Sequence, residues 1–151
     1  MKKLEHDSLR LGNQLCFAVY STAHALNRVY KPLLEPLGLT YPQYLVMLTL
    51  WEKDDLSVKD IGAQLFLDSG TLTPLLKRLE QAGLITRRRD AVDERHVRIG
   101  LTTRGKHLRT RAKSIPHGIL CATGGSLEEI VALKEDLIAL RDRLNAEAVE
   151  S

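Results

Sequence analysis

The stretch from Asp68 to Arg98 constrains the fold most tightly. A short polar opening, Asp68, Ser69, Gly70 and Thr71, leads into Leu72, Leu75, Leu76 and Leu79 at helical spacing, and Gly83 closes the helix. The leucines fall on one face. Ser69, Thr71, Thr73, Lys77 and Arg78 fall on the other, where hydroxyls and cations can meet phosphates and base edges. Two short runs with β-branched residues follow, Ile85–Arg89 and Val97–Leu101, joined by the charged turn Asp90, Ala91, Val92, Asp93, Glu94, Arg95, too polar to be buried. This order predicts a helix that reads DNA followed by a hairpin wing.

The wing tip has its own chemistry. An exposed Arg95 suits a narrow minor groove, where the negative potential is enhanced. Asp93 and Glu94 look wrong for DNA contact, but a carboxylate beside Arg95 can hold the guanidinium in one orientation. Arg78 and Arg87 are expected at phosphates. From Lys77 to Lys113 there are 12 Lys and Arg against 4 Asp and Glu, while the whole chain carries a net charge of only +3. A basic segment in a nearly neutral chain is the electrostatic footprint of a nucleic-acid face, whereas a uniformly basic chain would suit a membrane surface equally.

Several classes are argued against. Residues Lys2, Lys3, Glu5, His6 and Asp7 leave no apolar core for a signal peptide, and no apolar run reaches the roughly 20 residues that span a bilayer. A cytoplasmic location without membrane contact is the expectation. Cys16 and Cys121 lie too far apart for a zinc ribbon or a CxxC motif, and the five histidines show no ligand spacing. Neither a metal nor another cofactor is expected.

Six helices and the hairpin are predicted. The first runs from about Ser8 to Leu34, with Leu15, Val19, Thr22, Leu26, Val29 and Leu33 alternately four and three apart, and stops at Pro36 and Gly38. On this reading Cys16 lies mid-helix, out of reach of a helix N-terminus. Thr40 and Gln43 form a capping box for the second helix, and Ser57 caps the third, in which Val58, Ile61 and Leu65 face inward. The third and fourth helices make a helix-turn-helix across the turn near Phe66 to Ser69. Pro74 favours a fourth helix beginning near Ser69 or Gly70, because a proline past the first turn costs a backbone bond. Thr102 opens the fifth, which should bend or stop around Pro116, and Ser126 with Glu129 caps the last.

On the last helix Ile130, Leu133, Leu137, Leu140 and Leu144 form a narrow seam of the coiled-coil kind. The first helix carries a similar one. These stripes either pack on each other within one chain or knit a homodimer. A dimer sets two reading helices about 34 Å apart, one DNA turn, as a pseudo-palindromic operator in double-stranded DNA requires. The expected architecture is mainly α (α+β): a winged helix-turn-helix over 40–114, with residues 1–39 and 115–151 as a helical dimerisation region.

With these residues in place, the chain resembles the multiple antibiotic resistance regulator (MarR) family of winged-helix repressors. The stretches Leu33-Leu34-Glu35-Pro36-Leu37-Gly38-Leu39-Thr40-Tyr41-Pro42-Gln43-Tyr44 and Leu67-Asp68-Ser69-Gly70-Thr71-Leu72-Thr73-Pro74-Leu75-Leu76-Lys77-Arg78-Leu79-Glu80 look like its organic hydroperoxide resistance regulator (OhrR) branch, of the two-cysteine type. The resemblance implies a reactive cysteine at Cys16, tyrosines at Tyr30 and Tyr41 that hydrogen-bond to its sulfur, and a resolving cysteine at Cys121. It implies organic hydroperoxide as inducer, with Cys16 oxidised to a sulfenic acid that condenses to a disulfide and releases the DNA. Without it, Cys16 would read as a small buried hydrophobe.

Helix geometry adds a constraint. Fourteen residues separate Cys16 from Tyr30, so on one helix they stand roughly 21 Å apart at about 1.5 Å per residue. If Tyr30 serves Cys16, it does so across a dimer interface. Two other functions are weighed: a repressor of the same family answering a planar aromatic effector, and a thiol peroxidase using both cysteines. No peroxidase motif surrounds either thiol, and no enzyme activity is expected.

Overall fold

The computed structural model describes residues 7–149; the expectations drawn on residues 1–6, His6 included, and on 150–151 lie outside the described residues. Two compact units emerge, one ending at Lys113 and the other beginning at Ser114.

In the first unit, α1 (Leu15–Leu34) runs into a 3₁₀ turn, Glu35–Leu37, closed by Gly38 in the left-handed region. Here the expected first helix is corrected. Residues 8–14 do not join it: Leu11–Asn13 is a separate 3₁₀ turn, and Gln14 is extended. Side-chain bonds to local carbonyls compete with helix here, Asn13 Nδ2 to Asp7 O at 2.7 Å and Gln14 Nε2 to Arg10 O at 3.0 Å. Cys16 therefore occupies the second position of α1.

Helix α2 (Tyr41–Glu52) begins at the expected capping box, in which Thr40 Oγ1 accepts from Gln43 N–H and Gln43 Oε1 accepts from Thr40 N–H at 3.0 Å. A short strand β1 (Leu56–Ser57), absent from the sequence reading, leads into α3 (Val58–Leu65), capped by Ser57. The reading helix α4 spans Ser69–Gln81 and the wing is β2 (Ile85–Arg89) with β3 (Val97–Leu101). The sheet order is β1-β3-β2, antiparallel throughout, with Leu56 opposite Ile99 and Arg87 opposite Ile99 on the other side. Helix α5 (Thr103–Ala112) returns to the base of the wing, capped by Thr102 as expected.

The core of this unit gathers Val46, Met47, Leu50, Ile61, Leu72, Leu76 and Ile99, each at most 1% exposed. Gly105 lets α5 approach closely: a Cβ there would sit 2.1 Å from Leu84 O, and the Gly105 carbonyl accepts from Trp51 Nε1 at 2.9 Å.

In the second unit, α6 (Ile115–Thr123) and α7 (Leu127–Val149) join through Gly124, in the left-handed region. The helix opened by Thr102 stops at Ala112, close to Pro116 as expected; Pro116 itself stands near the start of α6, where its missing N–H has no partner to lose. That break raises the helices among the described residues from the expected six to seven. The Ser126–Glu129 cap is present, with Glu129 N–H bonded to Ser126 Oγ and Ser126 N–H to Glu129 Oε2.

A candidate DNA interface and thiol sensor

The turn between α3 and α4 is set by two local facts. Phe66 takes a left-handed conformation at the end of α3 and Leu67 N–H returns to Gly62 O at 3.0 Å. Gly62 permits this, since a Cβ there would lie 2.7 Å from Leu67 O. Asp68 then caps α4, accepting from Thr71 N–H at 2.7 Å, and that bond holds its carboxyl below the usual carboxylate range. Leu72, Leu76 and Leu79 are buried while Ser69, Thr71, Lys77 and Arg78 are exposed; Leu75 is half-buried. Thr73 donates its hydroxyl proton to Ser69 O at 2.7 Å, leaving its lone pairs to face outward as acceptors.

Between α4 and the wing lies an open groove of about 730 Å³, lined among others by Lys59, Ser69, Thr73, Arg87, Arg95 and His96. It brings together four of the expected DNA-contacting residues and adds Lys59 and His96, which the sequence reading missed. Thr71, Lys77 and Arg78 lie on α4 outside the residues lining it.

The expected carboxylate clamp on Arg95 is Asp93 alone. Arg95 Nε and Nη2 each donate to Asp93 at 3.0 Å, while the guanidinium side chain stays 88% exposed. The Arg95 guanidinium in turn holds the Asp93 carboxyl below its ordinary range. His96 Nε2 stands 3.4 Å from the same carboxylate. Asp90 turns the hairpin by accepting from the backbone of Val92 and Asp93, and those N–H bonds hold its carboxyl low.

A further residue, Asp55, was not foreseen. Arg88 and Arg98 face each other across β2 and β3, a like-charge pair that would push the strands apart. Asp55 accepts from both, from Arg88 Nη2 at 2.9 Å and Arg98 Nε at 3.0 Å, and the Arg98 bond chiefly lowers its carboxyl. Arg87 Nε bonds Glu80 Oε1 of α4 at 3.1 Å. Part of the local basic charge is thus neutralised within the fold, by Glu80 and by Asp55, an acid that counting over 77–113 omits.

On the sensor side, Tyr30 and Tyr41 come together with ring centroids 4.5 Å apart, and Tyr44, another residue the sequence reading missed, completes the cluster at 5.9 Å from Tyr30. Burial and then the neighbouring phenols push Tyr30 up to about 12, so its hydroxyl keeps its proton and can donate. The two expected tyrosines line a pocket of about 500 Å³ with Asn27, Lys31, Leu34 and Pro42. Cys16 is exposed at the other end of α1, so the single chain does not unite it with these phenols. Its place in the first helical turn, where backbone N–H groups lack helical partners, replaces the expected mid-helix position. Cys121, in the second unit, is exposed and lies with Sγ 3.5 Å from His117 Nε2.

A helix-turn-helix with an arginine-tipped wing defines a winged-helix DNA-binding regulator. A family model, transcriptional regulator SarA/Rot, matches residues 28–111. The chain is 54% identical over 142 residues to the HTH-type transcriptional regulator TtmR of Methylorubrum extorquens, covering 94% of this chain and 73% of that protein. It is 50% identical over 139 residues to the organic hydroperoxide resistance transcriptional regulator of Bacillus subtilis, covering 92% and 95%. Among solved structures, reduced AbfR bound to DNA matches with TM-score 0.78 at 36% identity, covering 94% of this chain and 99% of that one. Disulfide-formed AbfR matches with TM-score 0.60 at 35% identity, covering 93% and 98%. The chain belongs to the SarA/Rot family of MarR-like winged-helix transcriptional regulators, within reach of its organic hydroperoxide branch as the resemblance implied. These relatives are regulators and not enzymes, which removes the thiol peroxidase reading.

Proposed function

We propose that this regulator is a redox-sensing repressor, which binds a pseudo-palindromic operator as a homodimer and lets go when an organic hydroperoxide oxidises Cys16. Residues 1–39 and 115–151 build the dimer, and 40–114 read the DNA, with Ser69, Thr71, Thr73 and Lys77 toward the bases, Arg78 and Arg87 at phosphates and Arg95 in the groove beside them. The protein works in the cytoplasm, where its DNA is.

One observation carries this reading: Cys16 and the Tyr30–Tyr41 pair stand at opposite ends of α1, whose apolar side chains Leu15, Val19 and Leu26 are exposed. Two copies of α1 running antiparallel would cover those side chains and bring each Cys16 toward the other copy's phenols. Hydroxyls there can donate to the sulfur as it reacts. The oxidised Cys16 then condenses with Cys121 of the partner subunit, a bond that needs the two Cα atoms within about 7 Å and so moves the helices that carry the wings. The solved structures of AbfR, one reduced and bound to DNA and one disulfide-formed, support a cycle of this kind in a relative.

Non-reducing electrophoresis and operator mobility shift, run together after mild cumene hydroperoxide, test the proposal. Wild type should yield a covalent dimer and release DNA; Cys121→Ser should yield none, and Cys16→Ser should stay bound. A Cys16→Ser protein that still releases DNA would overturn the reading and favour an aromatic-effector repressor.

A further inference from the structure

The one thiol–imidazole contact among the described residues lies on α6, where Cys121 Sγ stands 3.5 Å from His117 Nε2, one helical turn away. We infer that His117 is the proton acceptor of the disulfide-forming step, an inference that rests on the resolving role proposed for Cys121. Spacing i, i+4 keeps both side chains on one face of the helix, and both are exposed, so the pair is preformed and reachable by an incoming sulfur. Helix α6 holds no other charged or titratable side chain. On α7, which packs against it, Glu128 and Glu129 stand in the first turn, with Glu129 Oε2 engaged by Ser126 N–H; Lys113 lies just before the unit. His117 is therefore the base that α6 itself offers to this thiol.

The step balances without a further reagent. With its own proton on Nδ1, His117 accepts the Sγ proton at Nε2, and the Cys121 thiolate attacks the sulfur of the Cys16 sulfenic acid left by the hydroperoxide. The new S–S bond forms as the S–O bond breaks. The departing hydroxide takes the proton back from Nε2 and leaves as water. One sulfur is oxidised and the other reduced by the same electron pair, and the imidazole is regenerated.

Two measurements on the full-length protein test this. In a Cys16→Ser background Cys121 is the sole thiol, so its labelling rate by an aromatic disulfide reagent can be followed against pH with and without His117→Gln. Loss of His117 should slow the labelling and change the shape of that profile. In the two-cysteine protein, covalent dimer should form about tenfold more slowly in His117→Gln after one equivalent of cumene hydroperoxide, less than for buried enzyme bases because water competes for the proton at an exposed site. Equal rates and superimposable pH profiles, with the dimer still forming, would overturn the role of His117 and leave Cys121 as resolving cysteine. No covalent dimer even in the wild type would instead overturn the Cys121 reading, and the step with it, whatever the labelling shows.

Discussion

The unit ending at Lys113 and the unit beginning at Ser114 differ in how much of their apolar surface one chain covers. In the first, Leu34, Val46, Met47, Ile61, Leu72, Leu76 and Ile99 are at most 1% exposed, packed around the helix-turn-helix and the base of the wing. On α7, by contrast, Leu133, Leu137 and Leu144 are 54%, 44% and 60% exposed, and no described residue of that helix is buried. A helix whose apolar stripe stays uncovered gains little from folding alone, because most helical stability comes from packing that stripe. The reading head is therefore finished within the chain, whereas α7, like Leu15, Val19 and Leu26 of α1, leaves apolar side chains exposed. The same contrast separates the two sites: the wing arginines find their carboxylates at home, while Cys16 does not find its phenols.

Substitutions that strike one side of this contrast and spare the other would sharpen it. Leu76→Ala, in the finished core, should lower unfolding free energy by about 3 kcal/mol, the usual cost of deleting a buried leucine side chain. Urea denaturation at protein concentrations above and below the dimer transition reads it; a loss under 1 kcal/mol would mean that the head is not an independent core. Leu137→Glu should act on assembly instead, raising the dimer dissociation constant by about tenfold or more, the equivalent of roughly 1.4 kcal/mol. Sedimentation equilibrium measures it, and an unchanged mass distribution would break the comparison from the other side.

Within the head, Arg95→Ala should weaken operator binding and reduce the slope of log affinity against log salt by about 1, since one cation leaves the DNA. An unaltered slope would place Arg95 off the DNA. The smallest effect concerns pH. Asp55, Asp90 and Asp93 are held below their ordinary range in the fold, by Arg98, by the Val92 N–H and by Arg95 respectively. Their stabilisation is present above the unfolded carboxylate value of about 4 and is lost as pH falls through the lowered native values. Carboxyl NMR titration should show these three carboxyls, like that of Asp68, protonating below the ordinary carboxylate range, with wing amide signals shifting in the same acid range.

Patterning made much of the head legible. Leucine spacing placed α4, the Thr40–Gln43, Ser57, Thr102 and Ser126–Glu129 caps placed four helix starts, and β-branched runs placed the wing strands with their observed ends. Each of those signals is local, carried by residues within a few positions of each other. The start of α1 was misread because apolar periodicity continues through a segment whose Asn13 and Gln14 side chains bond the backbone instead. Strand β1 was missed because two residues carry no period; Leu56 and Ser57 are a strand only by virtue of lying beside Ile99 and Arg98. Asp55 was missed for the same kind of reason, since its partners lie 33 and 43 residues away.

What the order of amino acids settled unaided was most of the elements and the chemistry available to them: a hydroxyl- and cation-bearing helix, an arginine at a hairpin tip, two thiols and a pair of tyrosines. Folding in three dimensions decided which charges remain free. It placed Asp55 against the facing Arg88 and Arg98, seated Tyr44 beside Tyr30 and Tyr41, and set Cys16 in the first turn of its helix. The physical reason is range: helical periodicity and capping act over a few residues, whereas ion pairing and aromatic packing depend on distances that exist only after distant segments have met.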